Sequence, residues 1–126
     1  MRAFEEVLVP VACRFRPELI LVSAGYDAHW ADDMSFMQLS VGDFGRMMAI
    51  LRQLADDFCG VRQGRMALVL EGGYHLQALA HSVETTLAVL LGERPPSDPL
   101  GLVPARGWPP NVDRIFQSIK ELHSLT

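Results

Sequence analysis

Basic charge is in short supply: 11 Lys and Arg stand against 15 Asp and Glu, a formal net charge of −4. Such a surface offers a phosphate backbone no attractive field, so direct nucleic-acid binding is not expected. Long apolar runs are missing too. Met66-Ala67-Leu68-Val69-Leu70 falls far short of the roughly 20 residues of a membrane span. The stretch Met1-Arg2-Ala3-Phe4-Glu5-Glu6 lacks the apolar core of a secretory leader. Cysteine is scarce: Cys13 and Cys59 are far apart with no CxxC spacing. A disulfide framework and a zinc knuckle are thereby excluded, and two buried, reduced thiols are expected. These features predict a cytoplasmic protein with no membrane partner. What is present is 126 residues, 49% of them hydrophobic, enough for one domain with a modest core.

Phe4, Val7, Leu8, Val11 and Phe15 recur at helical spacing, but Pro10 lies among them and predicts a kinked or broken helix. Leu19-Ile20-Leu21-Val22, ended by Ser23-Ala24-Gly25, and Met66–Leu70 read as strands covered on both faces, the kind found in parallel sheets. Between them Ser40, with Asp43 three residues on, caps a helix whose inner face is Phe44, Met47, Met48, Leu51, Leu54, Ala55 and Phe58, with Gly60 as its stop. After the second strand comes a helix predicted to turn Leu76, Leu79, Val83, Leu87 and Leu90 inward, closed by Gly92. The order strand, helix, strand, helix is that of an α/β layer. Residues 1–94 are read as this α/β part and 95–110, which holds six of the eight prolines, as a connector. Residues 111–126 are read as a final amphipathic helix, capped by Asn111, that docks back on the domain. Two strands cannot complete a sheet that needs cover on both sides, so the chain is expected to be part of something larger.

Two loops carry the polar chemistry. Ser23-Ala24-Gly25-Tyr26-Asp27-Ala28-His29-Trp30-Ala31-Asp32-Asp33 brings three carboxylates and an imidazole to the end of a buried strand. They suit either a divalent cation or the capping of a turn. Glu71-Gly72-Gly73-Tyr74 lets backbone approach a ligand closely, or makes a tight strand-to-helix turn over a packed tyrosine. No GxGxxG and no P-loop lysine accompanies it, which disfavours nucleotide binding. A right-handed crossover places both loops side by side on the sheet edge where open α/β folds bind ligands.

Pro17-Glu18-Leu19-Ile20-Leu21-Val22-Ser23-Ala24-Gly25-Tyr26-Asp27-Ala28-His29, followed by Asp32, and Leu70-Glu71-Gly72-Gly73-Tyr74 followed by Leu76 and Ala78-Leu79-Ala80, resemble the C-terminal third of the histone deacetylase family. That family includes acetylpolyamine amidohydrolases and acetoin-utilisation proteins, and the resemblance runs from about Phe4 to Gly92. It implies an arginase-like α/β fold, a parallel sheet sandwiched by helices and incomplete in this chain, with catalytic Zn2+ at the C-terminal strand edge. By the same resemblance Asp32 matches a zinc ligand. Asp33 stands where proline is usual and is the second candidate. Tyr74 matches the catalytic tyrosine, and Gly72 and Gly73 the wall of the acyl channel. His29 takes a structural or packing role, and Asp27 is expected to bond loop backbone. In the implied reaction zinc polarises an amide carbonyl, a histidine base takes a proton, and a phenol, protonated at neutral pH, bonds the oxyanion.

The family's other zinc ligands, an Asp-x-His pair, and its paired catalytic histidines have no counterpart before Pro17. The expected function is therefore that of a C-terminal segment of a zinc-dependent deacetylase for acetyl-lysine or related acetylated amines. It is expected to be inactive alone and to work with a complementary N-terminal deacetylase chain or as a homo-oligomer. The alternative is a non-catalytic deacetylase-like domain that serves self-association or protein interaction.

Overall fold

Proline sets the first element. Pro10 has no amide hydrogen, and its ring crowds the carbonyl one turn earlier, so a regular α-helix cannot run through it. In the computed structural model, which describes residues 1–58, 65–101, 103 and 112–125, the chain widens ahead of it. Phe4–Leu8 is π-helical, with the Val9 N–H donating to the Phe4 carbonyl, and helix α1 (Val9–Phe15) starts with the proline in its first turn. Arg16, left-handed at φ 55°, ends α1 just before Pro17. The expected break is present, in the form of a helix of two pitches. The expectations placed on Cys59, the Gly60 stop, the later part of the 95–110 connector and the Asn111 cap lie outside the described residues.

Strand β1 (Ile20–Ala24), helix α2 (Val41–Phe58), strand β2 (Met66–Leu70) and helix α3 (Leu76–Leu91) follow in the predicted order. The strands are parallel, with Ile20 opposite Met66 and Ala24 opposite Leu70. Helix α4 (Val112–His123) lies against the amino-terminal turns. There Arg2 pairs with Asp113 at 2.6 Å, and the Arg14 guanidinium donates to the His123 carbonyl at 2.8 Å.

The start of α2 is fixed by a reciprocal cap. The Ser40 N–H and hydroxyl donate to Asp43 Oδ2 at 2.9 and 2.6 Å, and the Asp43 N–H donates to Ser40 Oγ at 3.3 Å. Burial alone pushes the Asp43 carboxyl up, but the bonds from Ser40 and Arg46 outweigh it and hold the group below its ordinary value of 3.8. A carboxyl depressed in the folded state stabilises fully above its unfolded value, and that contribution is lost as pH falls through the folded value. Thermal melts between about pH 5 and pH 2 should therefore show a falling midpoint, and Asp43→Asn should flatten this acid limb.

One face of the sheet is packed. Val22, Ala24 and Leu68 meet Tyr26, Phe44, Met47, Leu79 and Val83. The Tyr26 and Phe44 rings cross edge-on at 5.1 Å, and the Tyr26 hydroxyl bonds Thr86 Oγ1 at 2.9 Å. The other face is open: Leu21 is 71% and Val69 60% exposed. This corrects the reading of strands covered on both sides, because α2 and α3, which supply the helical side chains packed on the sheet, lie together on one side. Met48 is buried as expected, while Met47 is half-buried at the core's margin.

The inner face of α3 is corrected in part: Leu79 and Val83 pack against the core as expected, but Leu76 and Leu87 do not. Ala78, Ser82, Thr85, Thr86 and Ala88 are its buried residues, whereas Leu76 is 79% exposed and Leu87 lies outside as well. Small side chains face α2 because the helices cross closely: a Cβ on Gly45 would stand 2.8 Å from Thr85 Cγ2. Cys13, expected in the core, is exposed on α1.

Candidate functional site

The first loop, residues 25–39, has no sequence period, yet backbone bonds close it on itself. The Trp30 N–H donates to the Leu39 carbonyl at 2.8 Å and the Leu39 N–H to the Ala28 carbonyl at 3.0 Å. His29 is fully buried beneath it, its ring stacked on Phe44 at 6.5 Å, and its Nδ1 accepts the Ala31 N–H at 3.1 Å. Burial drives the imidazole pKa down, which keeps the ring neutral. This is the packing role expected of it. Trp30 lies beside that ring at 5.6 Å.

The second loop is stitched to the first. The Tyr26 N–H donates to the Gly72 carbonyl at 2.8 Å, and the Glu71 N–H to the Ala24 carbonyl at 3.1 Å. Gly73 has φ +140°, a conformation that side chains rarely adopt, and a Cβ there would meet Leu79 Cδ1 at 2.8 Å. The turn then delivers His75 as N-cap of α3, its Nδ1 accepting the Ala78 N–H at 3.2 Å. Tyr74, just ahead of this cap, projects its side chain outward and is 64% exposed.

Asp32 joins the two loops through its side chain. Its Oδ2 accepts the Tyr74 N–H at 2.7 Å and the His75 N–H at 2.9 Å, while Oδ1 accepts the Met34 N–H at 3.0 Å. The residue is only 4% exposed. Burial pushes its carboxyl up, but the three amide bonds outweigh that and hold it below the ordinary aspartate value. Asp32 and Tyr74 are therefore brought together, but through the tyrosine backbone rather than by convergence of carboxylate and phenol. Asp33 is exposed.

The backbone-bonding role expected of Asp27 belongs to Asp32 instead. Asp27 is half-buried, and among the described residues no hydrogen-bond donor reaches its carboxylate. That carboxylate lies directly against Gly72, where any Cβ would overlap it, and a Cβ on Gly25 would stand 3.0 Å from its Oδ1. Two glycines thus clear a space around one unbonded oxygen pair at the strand edge. The signal in the sequence was the glycine on each side of this gap, Gly25 and Gly72, rather than the carboxylate spacing.

Among the described residues no three His, Cys, Asp or Glu side chains gather into a metal-binding group. A catalytic zinc takes three protein ligands, so the described residues by themselves do not fit the ion. Among the described residues no helix is long and apolar enough to cross a membrane.

The chain matches the family model described as histone deacetylase domain over residues 1–90. It is similar to the chloroplastic histone deacetylase 10 of Oryza sativa subsp. japonica, 47% identical over 91 residues that make up 72% of this chain and 20% of the relative. It is also similar to the polyamine deacetylase HDAC10 of Homo sapiens, 44% identical over 98 residues, 78% of this chain and 13% of that one. Among solved structures it superposes on the histone deacetylase Clr3 with a TM-score of 0.75 at 30% identity, covering 97% of this chain and 18% of that one. The HDA15 HD domain gives 0.70 at 28% identity, covering 95% of this chain and 29% of that domain. The chain spans a fifth or less of the length of these two curated relatives.

Proposed function

Because the chain belongs to the histone deacetylase family, we propose that it forms the C-terminal wall of a deacetylase active site and is inactive without the segment that completes that site. Its two-stranded parallel sheet and helices are an incomplete piece of the arginase-like fold of its structural neighbours. The substrate class is acetyl-lysine or another acetylated amine. The human relative named a polyamine deacetylase supports keeping small acetylated amines in that class.

The observation that carries this reading is the stitching of two chemistry-bearing loops at one strand edge, by Tyr26 to Gly72 and by Asp32 to Tyr74. Tyr74 is the catalytic residue: its phenol, free to reach outward, donates a hydrogen bond to the oxygen that gains charge as the amide carbonyl is attacked. Gly72 and Gly73 bring backbone up to the acyl group where any side chain would block it. For a zinc ion, Asp27 is the carboxylate this chain contributes, in place of Asp32, whose oxygens are occupied by amides. The other ligands come from outside the chain, and no zinc-dependent step is assigned to the chain's own residues. The scarcity of cysteine fits a reducing compartment, and the cytoplasm is our assignment.

The test is complementation. The chain alone should release no acetate from an acetyl-lysine peptide in zinc-containing buffer. After mixing with a separately produced N-terminal deacetylase segment carrying the His-His and Asp-x-His motifs, both bound zinc and hydrolysis should appear. Turnover by the chain alone overturns the incomplete-site reading. The open sheet face, with Leu21 and Val69 uncovered, favours a second reading, a non-catalytic domain for self-association. Stable homo-oligomers that gain neither zinc nor hydrolysis on mixing would establish it.

A further inference from the structure

Tyr74 has little else to hold it in place. Its side chain is mostly exposed, and among the described residues its hydroxyl has no hydrogen-bond partner. What fixes the residue is its backbone, through the N–H given to Asp32. The same carboxylate oxygen takes the next amide, that of His75, so two consecutive N–H groups converge on one buried acceptor at the entrance to α3. At its other end Asp32 is anchored in the first loop, its N–H donating to the His29 carbonyl at 3.0 Å and its Oδ1 accepting the Met34 N–H. His29, in turn, is fully buried against Phe44.

We infer that Asp32 is a positioning residue: it clips the Gly72-Gly73-Tyr74 turn to the first loop and so sets where the Tyr74 phenol stands relative to the Asp27 carboxylate. This rests on the proposed function for the role of Tyr74, but the clip itself does not. The glycines that make the turn passable also leave its backbone free to swing, since Gly73 alone can take its φ. A charged acceptor gripping two neighbouring amides removes that freedom without placing any side chain in the path of a substrate. A misplacement of about 1 Å at a reacting group can cost about 10²-fold in rate, so the clip matters for turnover even though Asp32 touches no reacting atom.

The experiment has two arms. In the chain alone, amide hydrogen exchange at Tyr74 and His75 should accelerate at least about 10-fold in Asp32→Asn and further in Asp32→Ala, with the exchange of α2 amides unchanged. In the complemented assembly, Asp32→Asn should keep its zinc content and KM while kcat falls by about 10²-fold. In a Tyr74→Phe background the same substitution should have little further effect, because the phenol it positions is gone. Unchanged exchange at both amides overturns the clip. Loss of zinc in Asp32→Asn equal to that in Asp27→Asn overturns it in favour of a direct ligand. Failure of the wild-type assembly to hydrolyse amide refutes the proposed function, and the exchange arm still decides the clip.

Discussion

Tyr74→Phe should lower kcat of the complemented assembly by about 10²–10³-fold, the usual cost of deleting one donor to a developing oxyanion. KM and zinc content should stay close to those of the wild type. The reason lies in how little the phenol does for the folded protein. Tyr74 is exposed, and its hydroxyl bonds nothing among the described residues, so removing the oxygen leaves no buried partner stranded. Its placement comes from the backbone grip of Asp32, which phenylalanine retains. Steady-state kinetics on an acetyl-lysine peptide, with the thermal midpoint measured alongside, checks this. A fall of less than about 10-fold in kcat would remove the tyrosine from the chemistry.

Gly72→Ala should abolish activity by a different route. The new methyl would overlap the Asp27 carboxylate and come within 3.3 Å of Asp27 Cβ, so the side chain as a whole has to turn away. Zinc content of the complemented assembly should drop with kcat, whereas Tyr74→Phe leaves zinc in place. The fold should survive at a cost of about 1–3 kcal/mol, typical of overpacking by one carbon. Gly42→Ala is the matched control. Its Cβ would meet nothing nearer than Ser40 Oγ at 3.8 Å, so metal content and rate should not change.

Much of the layer was legible because continuous apolar runs and capping chemistry are local signals. Met66–Leu70 forms a strand over the residues expected, and Ser40 with Asp43 starts α2 as the capping pattern implied. The faces were harder. In α3 the leucines and the small residues both recur at helical spacing, and periodicity cannot say which arc meets a neighbour. The choice is made by Gly45 on the partner helix, which admits Thr85 closely and leaves Leu76 and Leu87 outside.

The loops show the same limit. Asp27, Asp32 and Asp33 are equivalent as residue types, and their separate fates depend on which backbone amides reach them. Of the three amides that bond Asp32, two belong to Tyr74 and His75, more than forty positions away in sequence. What was visible from the residues was that both loops leave the same strand edge, since parallel strands joined by one crossover allow nothing else.

The uncovered side of the sheet has a consequence outside catalysis. A slab with Leu21 and Val69 facing water presents to the cell the same surface as a half-finished translation product, which chaperones and proteases are built to find. Under the proposed function the segment that completes the site also covers this face, so the amount of this polypeptide that escapes degradation should rise with the supply of that segment.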